Sequence, residues 1–245
     1  MAVLSMDSSS KYSSVCIIDD DLKIIASSDL GPHENHSILI FKQLDEMFSK
    51  VNIPLNKLKG IAVTLGPGSF TGVRVSLSIA KTLAFCLGLN ILGVGSLCAC
   101  AYSFIGKYRS KYIIVIKDYI RDYVYFSVFL IKNNECTEYG RLTSAAVSDL
   151  SLALSSIIER LEEVEEAPVV VYSYNKDKAA QNLKIKVEHA VSKIRGFEFE
   201  TFNSLKVSYF AGILALKSFI KNKNATDLKY IEELSPFYVY SGGAF

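Results

Sequence analysis

A chain of 245 residues with 27 lysines and arginines against 25 aspartates and glutamates has a formal net charge of only +2. Proteins that grip nucleic acid unaided usually carry a strong basic excess, so that class is disfavoured. With 50% hydrophobic and 21% charged residues, the chain holds too much apolar material to be disordered, and its length suits one large domain or, as expected here, two compact ones.

The opening Met1-Ala2-Val3-Leu4-Ser5-Met6-Asp7 has no basic lead and meets a carboxylate early, so it reads as a strand and not as a secretion signal. Apolar runs at 2–4, 13–18 and 22–26, separated by Ser- and Asp-rich turns, predict three antiparallel strands. From 36 to 51, Ile40, Leu44, Met47, Phe48 and Val51 recur at helical spacing, widened by Ile38, Leu39 and Phe41, until Asn52 and Pro54 stop the helix. A buried strand at 60–65, the turn Gly66-Pro67-Gly68-Ser69, a helix over 70–87, a strand at 89–94 and a helix over 96–108 follow. The longest apolar stretch, 75–92, contains Lys81 and several hydroxyls, which suits a buried helix and strand better than a membrane span. A soluble, cytoplasmic protein is the expectation.

The composition resets near 106, giving expected domains 1–106 and 107–245, with the last helix able to pack back on the first half. Strands are expected at 112–116, 123–131 and 140–142, a helix over 148–163, a strand at 169–174 and a final helix over 207–221. The acidic run 159–166 reads as a solvated helix end, and the basic stretch 176–195 as hydrated surface before a nucleic-acid-facing one. Five cysteines without CxxC pairs imply reduced, mostly buried thiols.

The string Gly66-Pro67-Gly68-Ser69-Phe70-Thr71-Gly72-Val73-Arg74 joins a strand to a helix, where glycines permit a sharp turn. The helix start beneath it has unpaired N–H groups and positive potential, suited to an anion or a partner's carboxylate. A tight turn capped by Ser69 or Thr71 explains the same residues. The phosphate-loop GKS/GKT ending and the dinucleotide-loop spacing are both missing.

Taken whole, GPGSFTGVR followed by Ala80-Lys81-Thr82-Leu83-Ala84 and Leu92-Gly93-Val94-Gly95-Ser96-Leu97 resembles the signature of the bacterial TsaB family. Leu4-Ser5-Met6-Asp7-Ser8-Ser9, His36-Ser37 and Pro236-Phe237-Tyr238-Val239-Tyr240 are similar to further family segments. The resemblance is dense over the first hundred or so residues and sparse afterwards. It implies an α/β fold of two tandem ribonuclease-H-like, actin-like (ASKHA) subdomains, each a mixed sheet with helices. It also implies a non-catalytic subunit acting with a TsaD-type catalytic paralogue and a small TsaE-type ATPase. Together these transfer threonylcarbamoyl to the adenosine beside the tRNA anticodon. On this reading tRNA is met only through the complex, the protein pairs with itself when alone, no membrane is involved, and ATP and metal sit on the partners. Two departures stand out: Asp118 to Tyr125 reads DYIRDYVY, with Ile120 where the family carries arginine unless Arg121 substitutes, and Tyr240 stands for a terminal arginine.

The catalytic paralogue holds its metal with two histidines four residues apart, and the matching positions here are Ser96 and Cys100. A serine and one thiolate do not make a first-row metal site. His33 and His36, beside Pro32 and Asn35, read as a helix entry, and His189 as surface. Cys98 and Cys100 sit among apolar residues that keep thiols protonated. Asp7-Ser8-Ser9 falls where actin-like ATPases approach phosphate. If any cofactor binds, Asp7, Ser8, Ser9, Gly66, Gly68 and Ser69 are the candidates. The rival reading is an independent actin-like phosphotransferase or a metallopeptidase. The helix over 70–87, apolar almost all round, calls for burial beyond one sheet. The expected partner interface comprises Ile40, Leu44, Phe48, Phe70, Arg74, Leu77, Ala80, Lys81 and Ala84.

Overall fold

Three consecutive strands, β1 (Ala2–Asp7), β2 (Ser13–Asp19) and β3 (Ile24–Leu30), form an antiparallel meander joined by short polar turns. The computed structural model describes residues 2–31, 36–51, 57–161, 167–174, 178–194, 197–221 and 228–237. After helix α1 (His36–Lys50), strand β4 (Leu58–Thr64) pairs parallel with β1. After α2 (Phe70–Leu87), β5 (Asn90–Val94) pairs parallel with β4, giving the order β3-β2-β1-β4-β5. β1 is buried along its whole length because both faces of the sheet are covered, the usual environment of parallel strands.

The side-chain period of two separates those faces. Leu4 and Met6 join Ile61, Val63 and Ile91 in one core with Ile40, Leu44 and Met47 of α1 and Leu77, Ala80 and Ala84 of α2. The other face receives α6 (Val207–Lys221), which packs on β1, β2, β4 and β5. Its closeness is visible at Gly60, where an added Cβ would lie 2.2 Å from the Phe219 ring, and in the Ser5 hydroxyl donating to the Ser208 carbonyl at 2.6 Å. Met1–Ala99 and Leu205–Phe237 thus form one compact unit, which also contains α7 (Leu228–Glu233).

The second unit, Cys100–Ser204 among the described residues, follows α3 (Ser96–Tyr102), which straddles the boundary. β6 (Ser110–Asp118) and β7 (Tyr123–Lys132) pair antiparallel, β8 (Glu135–Glu138) and β9 (Thr143–Ala146) both pair with β7, and β10 (Val169–Tyr174) and β11 (Glu198–Asn203) extend the sheet in parallel. The order β8-β7-β6-β10-β11 matches that of the first sheet strand for strand, a meander followed by two parallel strands. α4 (Leu150–Ile158) and α5 (Lys178–Ser192) supply Leu150, Leu154, Leu183, Val187 and Val191 to its core.

Several expectations need correction. No strand spans 140–142: Gly140 sits in a turn, with its N–H on the Val128 carbonyl and its own carbonyl taken by the Ser127 hydroxyl. The expected 96–108 helix ends at Tyr102, after which tight turns run into Gly106 at φ +88°, a conformation suited to glycine. The 148–163 helix is confined to α4, and 162–166 lies outside the described residues. The basic stretch 176–195 contains α5, whose buried Leu183, Val187, Ala190 and Val191 recur at helical spacing within a charged sequence.

Candidate protein-binding face and the glycine-rich clasp

The glycine-rich turn leaves the end of β4 and enters α2 beside the carboxyl ends of β1 and β5. Asp7, 2% exposed at the end of β1, accepts the Thr64 hydroxyl at 2.5 Å and the Ser9 N–H at 3.0 Å on the same Oδ1. The Ser69 N–H donates to the Ser9 carbonyl at 2.8 Å, and the Ser69 hydroxyl accepts the Gly72 N–H at 3.2 Å, capping α2. On the other side, Ser96 donates its N–H to the Gly66 carbonyl at 2.7 Å and its hydroxyl to the Pro67 carbonyl at 2.9 Å. Gly66 is at φ +90° and Gly68 at φ +152°, where a Cβ is strained. At Gly72 a Cβ would stand 2.1 Å from the Ser8 carbonyl oxygen, so only glycine lets α2 close on the first hairpin. The buried Ser8 hydroxyl has no hydrogen-bond partner. The six residues named as cofactor candidates are therefore brought together, and the bonds they make tie strand ends to a helix start.

Ser96 is buried and committed to the Pro67 carbonyl, while burial raises the Cys100 thiol well above its ordinary value, with Lys117 opposing. Among the described residues no group of three or more His, Cys, Asp or Glu side chains is placed to hold a metal. His189 is exposed on α5, whereas His33 and Tyr240 lie outside the described residues. The tip joining β6 to β7 exposes Tyr119, Ile120 and Tyr123, with Arg121 at φ +54°.

The expected interface residues divide sharply. Ile40, Leu44, Leu77, Ala80 and Ala84 are between 0% and 6% exposed and belong to the unit's own core, because they face the sheet. They do not form a surface. α2 is long and apolar enough to cross a membrane by length and composition, yet Val73, Leu77, Ile79, Ala80 and Ala84 are buried in the unit. Lys81 extends its ammonium to the Glu232 carbonyl of α7 at 3.0 Å, pinning that helix to α2. Phe48 is half-buried against the core.

Phe70 and Arg74 remain outward. The Phe70 ring is 55% exposed with the Arg74 guanidinium 3.8 Å above it, a cation–π pair. They line an open groove of about 470 Å³ with Phe41, Thr71, Val75, Ser78, Ile79 and Thr82. Thr71, Arg74, Ser78, Thr82 and Phe85 follow one stripe of α2, and Phe41 (58% exposed) and Phe85 (67%) are exposed rings. Phe41 and Phe85 stood in the sequence as apolar residues of their helices and were not among the expected interface residues. The available signal was the position of Phe85 three turns beyond Arg74, on the same side of the helix as that charge.

Comparison with known proteins gives these features a context. Residues 31–135 match the family model described as TsaD, tRNA N6-adenosine threonylcarbamoyltransferase. The chain is 29% identical over 175 residues to the tRNA threonylcarbamoyladenosine biosynthesis protein TsaB of Bacillus subtilis, covering 71% of this chain and 72% of that one. It is 27% identical over 169 residues to TsaB of Buchnera aphidicola from Schizaphis graminum, covering 69% and 77%. Among solved structures, YeaZ from Pseudomonas aeruginosa superposes with a TM-score of 0.69 at 16% identity, over 97% of this chain and 99% of that one, a likeness of fold.

Proposed function

We propose that this chain, which resembles the tRNA threonylcarbamoyladenosine biosynthesis protein TsaB over about 70% of its length, is a TsaB-type, non-catalytic subunit pairing through the exposed groove of α1 and α2 with a TsaD-type catalytic paralogue. The observation that carries this reading is the row of exposed rings, Phe41, Phe70 and Phe85, with Arg74 over Phe70, on a helix pair whose opposite face is packed. Aromatic and arginine anchors are the residues that dominate protein–protein affinity. The same face serves a homodimer when the partner is absent.

On this reading the chain carries no cofactor. Asp7 Oδ1 and the Ser69 N–H, the groups at its first hairpin and glycine-rich turn suited to a nucleotide phosphate and its metal, are engaged with Thr64 and Ser9. ATP and metal belong to the partner and to a small TsaE-type ATPase, and tRNA is modified within the assembly. The combined change Phe70→Ala and Arg74→Glu is expected to weaken association with the catalytic paralogue by about tenfold to a hundredfold, the range of hot-spot residues, at unchanged thermal stability. Sedimentation and reconstituted tRNA modification read the two effects. Full modification without this chain, or tight binding of magnesium ATP by the chain alone, overturns the reading.

A further inference from the structure

The second unit carries a groove of about 380 Å³ formed by the start of β7, the end of β9, the first turn of α4 and one side of α5. One wall is made by Lys186 and His189 of α5 and by Lys193 just past its end, spaced three and four residues apart. Opposite stand Ser148 and Ser151 beside the α4 start, and the ring of Tyr123, 43% exposed. Asp122 is the single acidic residue of the lining. It holds the Lys186 ammonium at 2.6 Å, with the two side chains 53% and 65% exposed, so this is a screened surface pair that an incoming anion can displace. Tyr123 continues into the exposed tip containing Tyr119 and Ile120.

We propose that this groove binds a single-stranded segment of RNA, with Lys186 and Lys193 along the phosphates and a base stacked on Tyr123. Cations tracking a backbone beside an exposed aromatic ring are the two components of single-strand recognition. An acidic peptide would use the lysines but has no need of the ring, and a concave groove does not fit the flat face of a membrane. The choice of RNA rests on the tRNA pathway of the preceding reading. The site is distinct from the α1–α2 face, and with a net charge of only +2 the chain offers weak, salt-sensitive binding.

Fluorescence anisotropy of the whole chain, alone, with a labelled anticodon-arm RNA across a salt series tests this. Lys193→Glu is expected to weaken binding at least several-fold and to flatten the log–log salt dependence by about 0.7, one single-strand phosphate contact. Tyr123→Ala is expected to weaken it by about tenfold with the salt slope unchanged, as for loss of one stacked base. Both side chains are exposed, and Lys186→Glu repeats the charge test on a second residue. Wild-type affinity in all three variants, or polyglutamate competing as well as RNA at equal charge, overturns the proposal. Because no partner subunit is present, that failure leaves the pairing reading standing. Full tRNA modification without this chain, alongside intact RNA binding by it, would defeat the pairing reading alone.

Discussion

At Asp7 a carboxylate is buried and satisfied by two donors from its own unit, the Thr64 hydroxyl and the Ser9 N–H. A polar group deep in a core is tolerated only when so partnered, and the same rule governs what substitutions do to α2. Leu77, 5% exposed, is packed among the apolar side chains of the unit's core. Leu77→Glu is expected to lower stability by about 3–5 kcal/mol, with lost pairing only as a secondary effect, whereas changes at the exposed Phe70 and Arg74 are expected to leave the core packed. Urea titration of the isolated variant checks this, and a wild-type midpoint would show that position 77 is not core. The glycines and the capping Ser69 were legible from type and order alone. The partner of Asp7 was not, since Thr64 lies 57 positions away and only strand pairing brings it close.

Between elements, β2 and α6 share a buried contact at Cys16, Ile18, Ser208 and Gly212. Burial pushes the Cys16 thiol up from 9.0 to about 12, with a hydrogen bond to Ser208 opposing and the Asp29 charge adding to the rise. The folded value is thus raised above the unfolded one. Below about pH 9 both states keep the proton, and between about 9 and 12 the unfolded chain loses it first, so stability falls as pH rises. Cys16→Ala is expected to flatten that fall, read as the difference in denaturation midpoint between the two proteins from pH 8 to pH 10.5. An identical slope in both would mean the thiol is solvated. Element types were readable where periodicity was strong, as in α2, β10 and α6. α5 and β11 were not, because charged residues interrupt the apolar positions of both, lysines in α5 and glutamates in β11.

The whole molecule repeats one design, a three-strand meander extended by two parallel strands, in each of two units. The first unit is discontinuous, because α6 returns after the second to cover the sheet face opposite α1 and α2. Truncation after Ser204 is therefore expected to strip the cover from β1, β2, β4 and β5 and abolish cooperative melting of the first unit, followed by calorimetry and by binding of a hydrophobic dye. A sharp first-unit transition in the truncated chain would contradict the packing. The amino-acid sequence by itself determined most strand and helix types, the capped glycine-rich turn and the resemblance to TsaB proteins, because these depend on local backbone freedom, short-range periodicity and residue order. Tertiary structure alone decided which apolar side chains are core and which are surface. A helix apolar on nearly every side gives no sign of the face its sheet will claim, and only chain folding over long separations assigns Leu77 to the interior and Phe70, Arg74 and Phe85 to the outside.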